Sequence, residues 1–268
     1  MQIEKIINKI IAPPLAKEGF HKAPSGEANA WVFAKPKENF YHYIYISLDT
    51  MPFPSGTMYR VGININSSAP RGYGVSLAKI IENPPQKIKD ELMFYDTEEQ
   101  IEEYLTSAVN VIVDSALPLF DCLDRPVIIS PRELHEKLSV NTQQCAEDFM
   151  QQHDLSFADD INGVREMILR AEAVIKAKQF FPLEETAEFL VNATAYVGEL
   201  VRRVHGGEWM WDPNYGRAYL LCNVGGYKSL MSGALGVTFN YWIRPEIYGG
   251  SIRSHYKELL HKLGVEDY

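Results

Sequence analysis

The chain has 268 residues, 46% of them hydrophobic and 23% charged, enough to bury two ordinary cores. Its formal net charge is −9, divided evenly, with −4 up to and including Arg125 and −5 beyond it. An acidity spread in this way argues against nucleic acid, which needs clustered Lys and Arg, and leaves a basic protein as the partner that charge would steer.

The apolar runs look too short for a membrane span, and Met1 to Lys5 lacks the apolar core of a signal peptide, so the chain is expected in the cytoplasm with no membrane partner. Cys122, Cys145 and Cys222 are odd in number and far apart, which suggests free thiols rather than a disulfide framework or a metal knuckle.

In chain order, Ile3, Ile6, Ile7, Ile10 and Ile11 form a helical stripe that Pro13 and Pro14 interrupt and Gly19 closes. Alternation then predicts strands over Ala30 to Ala34, Phe40 to Leu48 and Tyr59 to Ile65. In the second of these, Tyr41, Tyr43 and Tyr45 share one face, and Phe40, His42, Ile44, Ile46 and Leu48 share the other. A short strand is expected near Leu92 to Tyr95. Thr97-Glu98-Glu99-Gln100 has the pattern of a capping box that opens a helix ended by Pro118. One helix at each end of a small antiparallel meander is the expected product.

Ser130-Pro131-Arg132-Glu133 resembles a second capping box and marks the expected domain junction, dividing 1–125, an α+β domain, from 126–268, a mainly helical domain with a β-hairpin. Helices are expected over Pro131 to Leu138, Thr142 to His153 and Ala158 to Gln179. Phe189 to Val204 reads as a further helix with Phe189, Ala193, Tyr196, Val197, Leu200 and Val204 on its core face. Small residues including Gly198 would let another backbone approach it. Gly206-Gly207 stops the helix, and Glu208 to Trp211 and Arg217 to Val224 form a hairpin. The stretch from Gly233 to Gly249 is ambiguous. Ser251 to Leu263 forms a terminal helix.

Leu15-Ala16-Lys17-Glu18-Gly19-Phe20, with the aromatic strands and the closing helix, resembles an uncharacterised family of bacterial cytoplasmic domains. Ala195 to Arg203 and Gly206 to Trp209 are similar to another uncharacterised bacterial family, met in predicted toxin-immunity neighbourhoods among other places. The resemblance implies a bacterial origin and an interaction role, and it supplies no catalytic residues.

The chemistry-bearing motifs mostly fail. Val224 to Ser229 fails as a phosphate-binding loop because Tyr227 stands where glycine must precede the lysine, Gly72-Tyr73-Gly74 lacks the third glycine of a dinucleotide fingerprint, and the seven histidines show no ligand spacing. No cofactor and no metal is expected. A nucleophilic set of Cys222, His205 and Asp212 is weighed against a core thiol in Tyr219-Leu220-Leu221-Cys222, and the core thiol is preferred. The richest group is Glu199, Arg202, Arg203, His205, Glu208, Trp209 and Trp211, where arginines and tryptophans could hold an anion or a partner. Its bland rival is an ion pair with tryptophans packed between helix and hairpin. Glu98, Glu99, Glu102 and Glu103 form the acidic face best suited to a basic partner. The leading expectation is a non-catalytic interaction module, such as an immunity-type inhibitor of a basic toxin. The alternative is a small-molecule binding protein or hydrolase with a pocket near Glu199, Arg202 and Trp209. The oligomeric state stays open.

Overall fold

The computed structural model describes residues 3–53, 56–89, 95–224, 227–231 and 234–265, with only the backbone considered at 51–53, 56–58, 89, 223–224, 227–231 and 234. The chain divides into two compact units, Met1–Val127 and Ile128–Tyr268, and the architecture is α+β.

The N-terminal unit starts with α1 (Ile3–Ile10) and α2 (Ala12–Lys17), whose prolines occupy its first turn, where a missing N–H costs nothing. Five antiparallel strands follow in simple meander order: β1 (His21–Ala23), β2 (Ala30–Pro36), β3 (Tyr41–Phe53), β4 (Gly56–Ser67) and β5 (Gly74–Ser76). The expected strands are present and longer. The outer strands β1 and β5 escaped sequence reading because three residues are too few to show a period. Register pairs Ile44 with Ile65, Ile46 with Ile63 and Leu48 with Val61, so one sheet face is a continuous apolar surface, fully buried. The tyrosine face opposite is half-buried, and there Tyr45 donates to Glu27 Oε2 at 2.5 Å.

Thr97 and Gln100 form the expected capping box at the start of α4 (Glu98–Val111), which follows the short α3 (Gln86–Lys89). Two expectations need correction here. Helices α1 and α4 lie against one another, tied by Lys9 Nζ to Glu102 Oε1 at 2.6 Å, rather than at opposite ends of the sheet. Pro118 does not stop the helical run either. The run passes through a π-helical turn (Ile112–Ala116) and a tight 3₁₀ turn (Leu117–Leu119), in which the proline falls at the start, into α5 (Phe120–Leu123). From Glu98 to Leu123 the run is long and apolar enough to cross a membrane by length and composition, contrary to expectation. Its apolar side, including Ile101, Leu105, Ala108, Ile112, Ala116 and Leu123, is nevertheless buried in the unit's own core. The strand expected near Leu92 lies mostly outside the described residues, although Tyr95 exchanges both backbone hydrogen bonds with Tyr59 at 2.7 Å.

The C-terminal unit starts with α6 (Arg132–Gln152), a single helical run bent at Asn141 (φ −124°), where two helices were expected. Its start is not a capping box, because the N-cap is Pro131 and the Ser130 hydroxyl turns to His135 Nε2 at 2.7 Å. After α7 (Ile161–Ala177), capped by Asp160, comes α8 (Leu183–His205), which is buried on every side from Leu190 to Val201. Packing therefore exceeds the one-sided face that periodicity predicts, and Phe189 at the edge is only partly covered.

Gly206 and Gly207 end α8 at φ +73° and +121°; a Cβ at Gly207 would stand 2.6 Å from the Leu221 carbonyl oxygen, so the turn needs glycine. The hairpin of β6 (Glu208–Asp212) and β7 (Arg217–Val224) is extended by a third strand, β8 (Tyr227–Met231). The ambiguous stretch contains α9 (Ala234–Ile243), and α10 (Ile252–Lys262) closes the described chain.

A buried carboxylate holds α10 in place. Glu172 of α7, 2% exposed, accepts the Arg253 backbone N–H at 3.0 Å and the Arg253 Nε at 2.5 Å, so it serves both the orphan amides of the helix start and a cation. Glu172→Ala should lower the unfolding free energy by about 3 kcal/mol in urea titration, because it strands a helix start as well as breaking a buried pair. Arg253→Ala should cost at least as much, since it leaves the Glu172 carboxylate, 2% exposed, without its cation.

Candidate functional site

The last turns of α8 carry most of the candidate binding residues, and the structure sorts them into separate local contacts. Glu199, 4% exposed, receives Arg202 Nε at 2.9 and 3.0 Å, Arg202 Nη2 at 2.8 Å and the Trp209 indole N–H at 2.9 Å. The carboxylate is saturated by its own helix and by the first strand of the hairpin. That bonding raises the Arg202 pKa further. Arg203 lies 3.7 Å from the centre of the Phe157 ring, His205 Nε2 meets the Tyr256 hydroxyl at 2.8 Å, and Trp211 stands beneath Arg132 at 5.7 Å. Glu208 is exposed.

Gly198 owes its place to a side chain, not to the close backbone approach expected from sequence. An added Cβ would stand 2.1 Å from Trp209 Cζ2, so the indole occupies the space that any larger residue would need. Glycine, glutamate and tryptophan form one unit, in which the flat ring covers the helix and its N–H reaches the carboxylate beside it.

The nucleophilic set is not assembled. Cys222 is fully buried and its thiol is pushed up to about 11 by that burial, the reverse of what a thiolate nucleophile needs. His205 is engaged with Tyr256, and Asp212 Oδ1 accepts the backbone N–H of Asn214 at 2.9 Å in the hairpin turn. Among the described residues no three His, Cys, Asp or Glu side chains converge as a metal site.

The acidic candidates lie at the start of α4. Glu98 and Glu99 are exposed; Glu102 pairs with Lys9 and Glu103 with Lys87, and the side chains of both pairs are partly or largely in solvent.

Sequence reading missed a cleft of about 360 Å³ in the N-terminal unit. Two of its polar lining residues, Lys35 on β2 and His42 on β3, are in register, and Ser67 on β4 continues their row beyond the cleft. His42 Nε2 and Ser67 Oγ both point at Asp124 Oδ1, at 2.8 and 2.6 Å. Asp124 is the acceptor for both, so the imidazole carries its proton on Nε2 and offers a lone pair at Nδ1. The ring stacks on Phe120 at 4.3 Å and 18°, and burial holds its pKa below the ordinary value despite Asp124. Phe20, Val113, Leu117 and Pro118 complete the apolar walls. The only signal in the sequence is a histidine on the apolar face of a strand, which reads equally well as packing.

Comparison of the chain with protein-family models, with curated proteins and with solved structures finds no match.

The Gly198 contact decides between two opposed effects. Alanine gains about 1 kcal/mol in helix propensity and loses about 1–3 kcal/mol by overpacking, plus the Trp209 hydrogen bond. Gly198→Ala should therefore destabilise the protein in urea titration, and the same change made in a Trp209→Ala background should stabilise it. A second expectation concerns pH. Burial is the largest cause lowering the pKa of His42, His135, His153 and His205 below 6.5, so at these four sites the unfolded chain binds more protons in acid than the folded one. Their contribution to stability is complete above about pH 6.5 and is lost as pH falls through the folded-state values. The unfolding midpoint should drop between about pH 7.5 and 5.5, and His135→Gln should flatten part of that slope.

Proposed function

We propose that the chain is a non-catalytic interaction module of the cytoplasm that binds a basic protein through the start of α4, as an immunity-type inhibitor of a basic toxin would. The observation that carries this reading is the exposure of Glu98 and Glu99 one turn before Glu102 and Glu103 on the same capped helix. The lysines on the latter two do not close the face. Exposed ion pairs are worth about 0–1 kcal/mol, so a partner's arginines can replace Lys9 and Lys87 at little cost. Acidic surface and basic partner also attract at a distance, which favours fast capture. The net charge of −9 adds to that steering, and the resemblance of the second half to a family met near toxin-immunity genes points the same way.

The competing reading, a ligand pocket or hydrolase centre at Glu199, Arg202 and Trp209, has less support. The carboxylate there accepts from both of the other groups, and a carboxylate saturated in this way stabilises the hairpin without a ligand.

The test neutralises the face without touching the core. Wild type and the Glu98→Gln, Glu99→Gln, Glu102→Gln, Glu103→Gln variant are immobilised and challenged with bacterial lysate at about 50 mM and about 500 mM salt. Basic proteins held by wild type at low salt should fall at least about tenfold in the variant and at high salt, with the unfolding midpoint of the variant little changed. Equal retention by both proteins would overturn the reading.

A further inference from the structure

The cleft over His42 carries chemistry that the acidic start of α4 does not use. Its volume of about 360 Å³ falls in the range of about 300–1,000 Å³ typical of small-molecule sites. Three features meet there. The walls are apolar, with Phe20 and Phe120 in ring contact at 5.7 Å. The rim carries two charges of each sign, Lys35 and Lys37 against Glu18 and Asp121. One wall runs from the π-helical turn into the 3₁₀ turn, through Val113 and Leu117, and π turns within helices are frequent at functional sites.

These features discriminate between occupants. A phosphate or dicarboxylate would gain two ammonium groups and meet two carboxylates. A hydrocarbon would bury apolar surface but leave the rim charges unused. A simple amine would reverse the first problem. A zwitterion with an apolar tail leaves none of these groups unmatched, and the rim can open to it. Lys37 and Asp121 touch only loosely, at 3.5 Å, with side chains 40% and 84% exposed, so both are available to exchange partners.

We infer that this cleft binds a free amino acid with an apolar side chain. Its carboxylate lies between Lys35 and Lys37, its ammonium group faces Glu18 and Asp121, and its side chain rests on Phe20, Leu117 and Phe120. His42 lines the same space as a neutral acceptor, held in orientation by Asp124 and Ser67.

Isothermal titration calorimetry of the full chain tests this with four probes: L-phenylalanine, L-leucine, phenylpropionate, which lacks the amine, and phenethylamine, which lacks the carboxylate. At least one amino acid should bind saturably with Kd below about 1 mM, and the two half-ligands at least about tenfold more weakly. Lys37→Gln alters only a partly exposed side chain, so the unligated protein should keep its unfolding midpoint while amino-acid affinity falls about tenfold. The inference is overturned if no amino acid gives saturable heat up to about 10 mM, if a half-ligand binds as tightly as the zwitterion, or if Lys37→Gln leaves affinity unchanged.

Discussion

The C-terminal unit depends on a carboxylate placed inside a helix that water does not reach. Helix α8 is covered on all sides through its middle, so a charge there must be answered locally. Glu199 is answered twice, by Arg202 one turn later and by the indole of Trp209, across the glycine cap. The second bond fixes where the first strand of the hairpin lies, and the absence of a side chain at Gly198 allows the ring to lie flat. His135 fastens the other end of the same sheet, since its Nδ1 accepts the Ala218 backbone N–H at 3.3 Å while Nε2 is held by Ser130. The three-stranded sheet is thus held between two helices by buried polar groups as well as by apolar contact.

The N-terminal unit uses the same economy differently. Rows of isoleucine and valine cross the sheet until the last inward row, where Lys35, His42 and Ser67 replace them. At that point apolar packing gives way to a hydrogen-bonded relay ending on Asp124, and the helical run that covers the sheet loosens into a π turn. A core that ends in a charged, partly open row provides a cleft without a separate loop to build it. The acidic start of α4 is the opposite end of the same helical run, so one element carries both the exposed glutamates and a wall of the cleft.

The two groups singled out from sequence stand in different physical settings. An arginine and tryptophan cluster looks like a binding surface because those residues dominate interfaces, yet Arg202 and Trp209 here solve the problem that Glu199 poses. The glutamates of α4 stand at a helix start open to solvent, where the dipole favours acidic residues.

Sequence alone determined much of this protein: the α+β class, the capping box at Thr97, the three long strands of the meander, the glycine stop at 206–207 and the hairpin beyond it. Each rests on interactions between residues close in the chain, where spacing and residue type carry the information. Only the tertiary structure decided that α8 is buried on every side from Leu190 to Val201, what Gly198 makes room for, and how the run past Pro118 continues. It also brought His42, Ser67 and Asp124 together, groups separated by 25 and 57 positions that share a site only because β3 and β4 pair and α5 folds back onto them. Contacts of that range leave no period in the sequence, since the cost of closing such loops is met by the whole core and not by the residues that meet.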